Sequence, residues 1–87
     1  MLNPQALNVV QNFFGIVDTH TANGFSLEKL MALTKLVAII KNDLNDPIGA
    51  DLMEKYYTGL GNPEININEI SELRNSVIHH FYVEPLL

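Results

Sequence analysis

An all-α fold, a compact domain of four helices, is what this sequence predicts, and three observations predict it. Four segments open on a residue able to cap a helix N-terminus. Each continues with apolar residues spaced three and four apart. The one stretch that alternates with period two, 62–68, is better explained by a cap at Asn66 than by a strand.

The first helix is expected over 4–20. Asn3 stands at its N-cap, and Pro4 at its first position, where a missing N–H costs nothing. Leu7, Val10, Phe14 and Val17 form the apolar stripe, widened by Ala6, Val9, Phe13 and Ile16. Gly15 either admits a second helix closely or is simply tolerated at a cost of about 1 kcal/mol. The stretch Thr19 to Gly24 ends this helix, and Asn23-Gly24 is a turn pair suited to positive φ.

The second helix is expected over 27–43. Ser26 caps it, and Phe25 is placed to staple onto Leu30. Leu30, Leu33, Val37, Ile40 and Leu44 recur as a helix-packing seam. Met31, Ala32, Ala38 and Ile39 fall on the other side, among Glu28, Thr34, Lys35 and Lys41. A helix apolar nearly all round is the centre of its fold or the seam with a partner.

Asp46-Pro47 repeats the cap-then-proline start, so a third helix is expected over 47–58. Ile48, Leu52 and Tyr56 share one face, with Met53 and Tyr57 beside it. Gly59 is read as the stop and Leu60 as its apolar partner. The fourth helix is expected over 67–82, from an Asn version of the capping box, Asn66 with Glu69, and a staple of Ile65 on Ile70. Ile70, Leu73, Val77 and Phe81 make its inner stripe, and Pro85 stops it. Together the four imply a single helical domain over 1–87, with orthogonal or bundle-like packing around a central second helix.

Composition bounds the function. Net charge is −5, and the basic residues are four lysines and Arg74, too few to neutralise phosphates, so no nucleic-acid partner is expected. The longest unbroken apolar run, Leu36 to Ile40, is far below the ~20 residues of a membrane span, and no signal peptide is read at Met1-Leu2-Asn3-Pro4. The expected location is the cytoplasm. The chain has no cysteine, which excludes disulfides, thiolate catalysis and Cys-type zinc sites. Ten asparagines beside one arginine suggest an A+T-rich coding sequence.

No chemical motif survives inspection. An EF-hand loop counted from Asp43 has Pro47 at its fifth position and Ile48 where glycine belongs. His79 and His80 point about 100° apart on a helix and do not grip one metal; two helix-end cations are the simpler reading. His20 has no nucleophile paired with it, and Ser76 near His79, His80 and Glu72 is an ordinary set of helix neighbours. Gly59-Leu60-Gly61 lacks the lysine of a phosphate loop. No catalytic residue, metal ligand, cofactor or small-molecule substrate is therefore expected. Arg74 is read with its stem along the core and its head in water, in preference to pairing with an acid across the bundle.

What remains is surface. About half the residues are apolar and only 17% are charged, so part of the outside is weakly polar. The candidate interface residues are Met31, Lys35, Ile39, Tyr57, Leu60, Arg74, Tyr82, Leu86 and Leu87. The expectation is a non-enzymatic protein–protein interaction module that binds another protein or itself as a homo-oligomer. The alternatives are a small acidic regulator or inhibitor, virus-encoded among the options, docking on a larger enzyme, and a structural subunit of a larger assembly.

Overall fold

The computed structural model describes residues 2–21 and 24–87 and contains four α-helices: α1 (Pro4–Val17), α2 (Leu27–Ala38), α3 (Pro47–Leu60) and α4 (Ile67–Ile78). The caps read from sequence are made. Asn3 Oδ1 accepts from the N–H groups of Gln5 and Ala6, at 3.0 and 3.2 Å. Ser26 Oγ accepts from Lys29 N–H and Asp46 Oδ1 from Gly49 N–H. Asn66 Oδ1 accepts from Glu69 N–H at 2.9 Å, and the Asn66 side-chain amide donates back to Glu69 Oε1 at 3.1 Å. The box is thus closed between side chains, where a Ser/Thr box closes on the cap residue's own backbone N–H.

All four helices depart from expectation at their C-terminal ends. α1 stops at Val17, and the chain then turns through Thr19 and His20, whose N–H groups bond to Ile16 and Val17 carbonyls. Thr21 and Gly24 form an isolated antiparallel bridge, with Gly24 at φ +82° as expected; Asn23 of the expected turn pair lies outside the described residues. α3 runs through Gly59 to Leu60, and Gly61 caps it in right-handed conformation, so Gly59 is no stop. Its missing Cβ makes room: a methyl there would lie 2.9 Å from Ile65 Cδ1. α2 and α4 do not simply stop. Each widens into one π turn, Ile39–Asp43 and His79–Val83, and after the second a 3₁₀ turn, Glu84–Leu86, carries Pro85. Asn45, at φ 52°, closes the first of these ends, with Asp46 N–H on the Ile40 carbonyl.

The core is one cluster drawn from every helix: Val9, Val10, Phe13 and Val17 of α1, Leu33 and Val37 of α2, Ala50, Met53 and Tyr56 of α3, Val77 of α4, and Ile40 and Phe81 from the π turns. The inner face of α3 is rotated from the expected one. Gly49, Ala50, Met53 and Tyr56 are buried, whereas Ile48 stands 66% exposed. Small residues sit inward because His80 and Phe81 close directly over the start of α3: a Cβ on Gly49 would lie 2.6 Å from Phe81 Cζ and 2.9 Å from His80 Nε2. Gly15, in contrast, has nothing within 4 Å of its Cβ position, so it admits no neighbouring helix. α2 packs on α1 and α3 and forms a wall of the core rather than an enclosed centre, since Leu27, Met31, Thr34, Lys35 and Ala38 face outward. Among the described residues, no helix is long and apolar enough to cross a membrane.

Candidate functional site

Two polar clusters organise the structure. In the first, Arg74 of α4 reaches α1 and α3 at once: Nη1 donates to Asp18 Oδ1 and to the Tyr56 hydroxyl, both at 2.9 Å. The guanidinium carbon stands 4.6 Å from the centre of the Phe14 ring, within cation–π range. The hydrogen bonds to Tyr56 and then Asp18 raise the guanidinium pKa above its ordinary high value. Arg74 therefore pairs across the bundle, and the reading of a free head in water is corrected. The sequence hides this partner because Asp18 lies 56 positions away.

In the second cluster, His80 sits between two carboxylates. Nε2 is 2.8 Å from Asp46 Oδ2 and Nδ1 is 3.2 Å from Glu84 Oε2, while His79 Nδ1 is 3.3 Å from Glu84 Oε1. His80 is partly packed at the edge of the core, as the helix-end reading has it, and in addition it joins α3's cap to the chain end, which that reading does not include. Its two ring nitrogens point in opposite directions, so Asp46 and Glu84 do not converge with it on one ion. Among the described residues no group of three His, Asp or Glu side chains is arranged to hold a metal.

Ser76, His79 and Glu84 share a surface hollow with Leu52 and Asn75. Ser76 Oγ, however, donates to the Glu72 carbonyl at 2.9 Å, within its own helix. Acyl transfer wants that hydroxyl on the histidine, with a preformed donor pair opposite, and the Ser76 hydrogen bond is spent elsewhere.

Apart from Arg74, which is held in the first cluster, the candidate interface residues divide into three sets. Met31 and Lys35 lie together on the outer face of α2, where they line a shallow apolar hollow of about 360 Å³ with Leu27, Leu30 and Thr34. Met31 is 56% and Leu27 75% exposed. Leu30 is also an edge of the next hollow, about 300 Å³, which contains Tyr57, Phe25, Thr58, Gly24 and Gly61. Tyr57, Leu60, Ile39 and Tyr82 are half-buried and packed on the core, so they serve the fold first. Leu86 and Leu87 do not fold back; they are 67% and 93% exposed. The nine residues thus do not make one patch.

Leu27 is the residue that sequence reasoning missed. It lies four positions before Met31 and on the same face, a spacing that could have found it. A third feature also went unseen, a groove of about 540 Å³ between α3 and α4. Its floor includes Gly59, Ile65 and Leu73, and Asp51, Glu54 and Lys55 stand at its edge. Lys55 is paired with Asp51 at 2.9 Å. Comparison with protein-family models, with curated proteins and with solved structures finds no match for this chain.

Proposed function

We propose that this chain is a helical protein–protein interaction module that works by binding, self-associates, and uses the outer face of α2 to do so. One observation carries the proposal: Leu27, Met31, Thr34 and Ala38 form a continuous exposed stripe on α2, bordered by the apolar hollow of Leu30. A lone exposed leucine needs no explanation, but exposed Leu27 and Met31 one turn apart beside an apolar hollow do. Two polar side chains weighed for chemistry are engaged elsewhere: Ser76 bonds within its helix, and His80 holds Asp46 and Glu84.

The test is sedimentation from micromolar to millimolar concentration. The wild type is expected to shift from monomer to dimer across that range, and Met31→Lys to stay monomeric with unchanged helix content. A wild type monomeric throughout would remove the self-association.

A second reading, an acidic regulator docking on a larger protein, draws support from the α3–α4 groove, whose apolar floor is edged by Asp51 and Glu54. Under that reading, a leucine-containing peptide flanked by lysines slows amide exchange at Ile65 and Leu73. Peptide addition that leaves those amides unchanged removes it.

A further inference from the structure

The self-association proposed above leaves open how two copies meet, and the distribution of side chains on α2 answers it. Leu27, Met31, Thr34 and Ala38 follow one another at four, three and four residues, the spacing of a two-helix seam, and all four are exposed. Two large residues occupy the N-terminal half of the seam and two small ones the C-terminal half. On one flank stand Glu28 and Lys35, also exposed, seven positions apart and opposite in charge.

We infer that a second copy of this chain docks on α2 by an antiparallel, two-fold pairing of α2 with α2. In that arrangement Leu27 lies against the second copy's Ala38 and Met31 against its Thr34, large on small at each layer. Equivalent flanks face each other across an antiparallel seam, so Glu28 of each copy stands beside Lys35 of the other, twice by symmetry. A parallel pairing loses both effects. Leucine meets leucine and alanine meets alanine, leaving the seam tight at one end and empty at the other. Glu28 and Lys35 then face the opposite flank of the second copy, the side of Leu30, and neither gains a charged partner. Two independent properties of the same six residues, size and charge, therefore select the same orientation. The antiparallel pairing also closes on itself, which yields a dimer and no filament.

The absence of cysteine makes the orientation directly readable. Glu28→Cys and Lys35→Cys are prepared separately, then oxidised alone and as an equimolar mixture, at a concentration where the wild type is dimeric. The expected result is a disulfide-linked heterodimer in the mixture, and at least tenfold less crosslinking in either variant alone. Efficient crosslinking of Leu27→Cys with itself, which places equal seam positions side by side, would establish the parallel pairing and overturn the inference. A wild type that dimerises while the mixture stays uncrosslinked overturns the α2 pairing but leaves self-association standing. A wild type that never dimerises overturns both. As a second measurement, Glu28→Lys and Lys35→Glu are each expected to weaken the dimer about tenfold, and the double variant to restore it. Failure of the double variant to recover affinity would count against the charge register.

Discussion

Gly49 and Gly15 both lie within α-helices, yet a methyl group added to each has opposite consequences. At Gly49 the new Cβ would lie 2.5 Å from Asp46 Oδ2 and 2.6 Å from Phe81 Cζ, with the His80 ring next to them. Phe81 is buried in the core, and the Asp46 carboxylate is tied to Gly49 N–H and to His80, so Gly49→Ala is expected to destabilise by about 1–3 kcal/mol. At Gly15 nothing stands within 4 Å, and Gly15→Ala is expected to stabilise by about 0.5–1 kcal/mol through lower unfolded-state entropy. Urea midpoints of the two variants should move in opposite directions, and movement in the same direction would refute the packing assigned to Gly49. Arg74→Met keeps most of the stem and removes both hydrogen bonds together with the cation on the Phe14 ring, for an expected loss of about 1–2 kcal/mol. A raised arginine pKa contributes stability that is fully present below the ordinary arginine value and is lost only above it. The arginine's own titration therefore adds no pH dependence at neutrality. The stability difference between wild type and Arg74→Met, measured by urea unfolding between about pH 6 and 8, is expected to be flat.

The elements differ in how they are held. α4 begins at a box whose two members satisfy one another, and Asn66→Ala is expected to cost about 1 kcal/mol in thermal or urea unfolding. Glu69→Ala removes only the returning contact between exposed side chains and should cost less. A larger loss for Glu69→Ala than for Asn66→Ala would contradict the cap. At their far ends α2 and α4 both widen into a π turn, and each turn carries one deeply buried residue, Ile40 and Phe81. An extra residue in a turn shifts the following side chains round the helix axis, and here the shifted residues reach the core. The inner stripes read from sequence already hold Ile40 and Phe81; what the helix wheel, which presumes a constant turn, does not foresee is the wider turn that carries them. α3 shows the same limit differently. Its amphipathic pattern favours Ile48 as an inward residue, but the crossing of Phe81 and His80 leaves space only for Gly49 and Ala50.

At the scale of the molecule, the fully buried set is modest: Phe13, Leu33, Ile40, Met53, Val10, Val17 and Val77. A small chain buries a smaller fraction of its surface than a large one and has correspondingly little stability in reserve. A dimer linked to folding adds to that reserve by mass action. The thermal midpoint is therefore expected to rise with protein concentration for the wild type and to stay constant for Met31→Lys. A concentration-independent wild-type midpoint would separate folding from any association on α2.

The helix count, the four capped starts and most of the core were legible in the residues, because caps and apolar spacing are local and act within one turn of chain. Part of the α2 face was legible too: Met31 and Lys35 share it because the helix period alone puts them there. Arg74 with Asp18 and Tyr56, His80 with Asp46, and the glycine that lets Phe81 close on α3 were decided only by the tertiary structure. Each joins residues from different helices, so its existence depends on how the helices cross. Crossing is set by the summed fit of side chains from all four helices, which no single stretch of sequence contains.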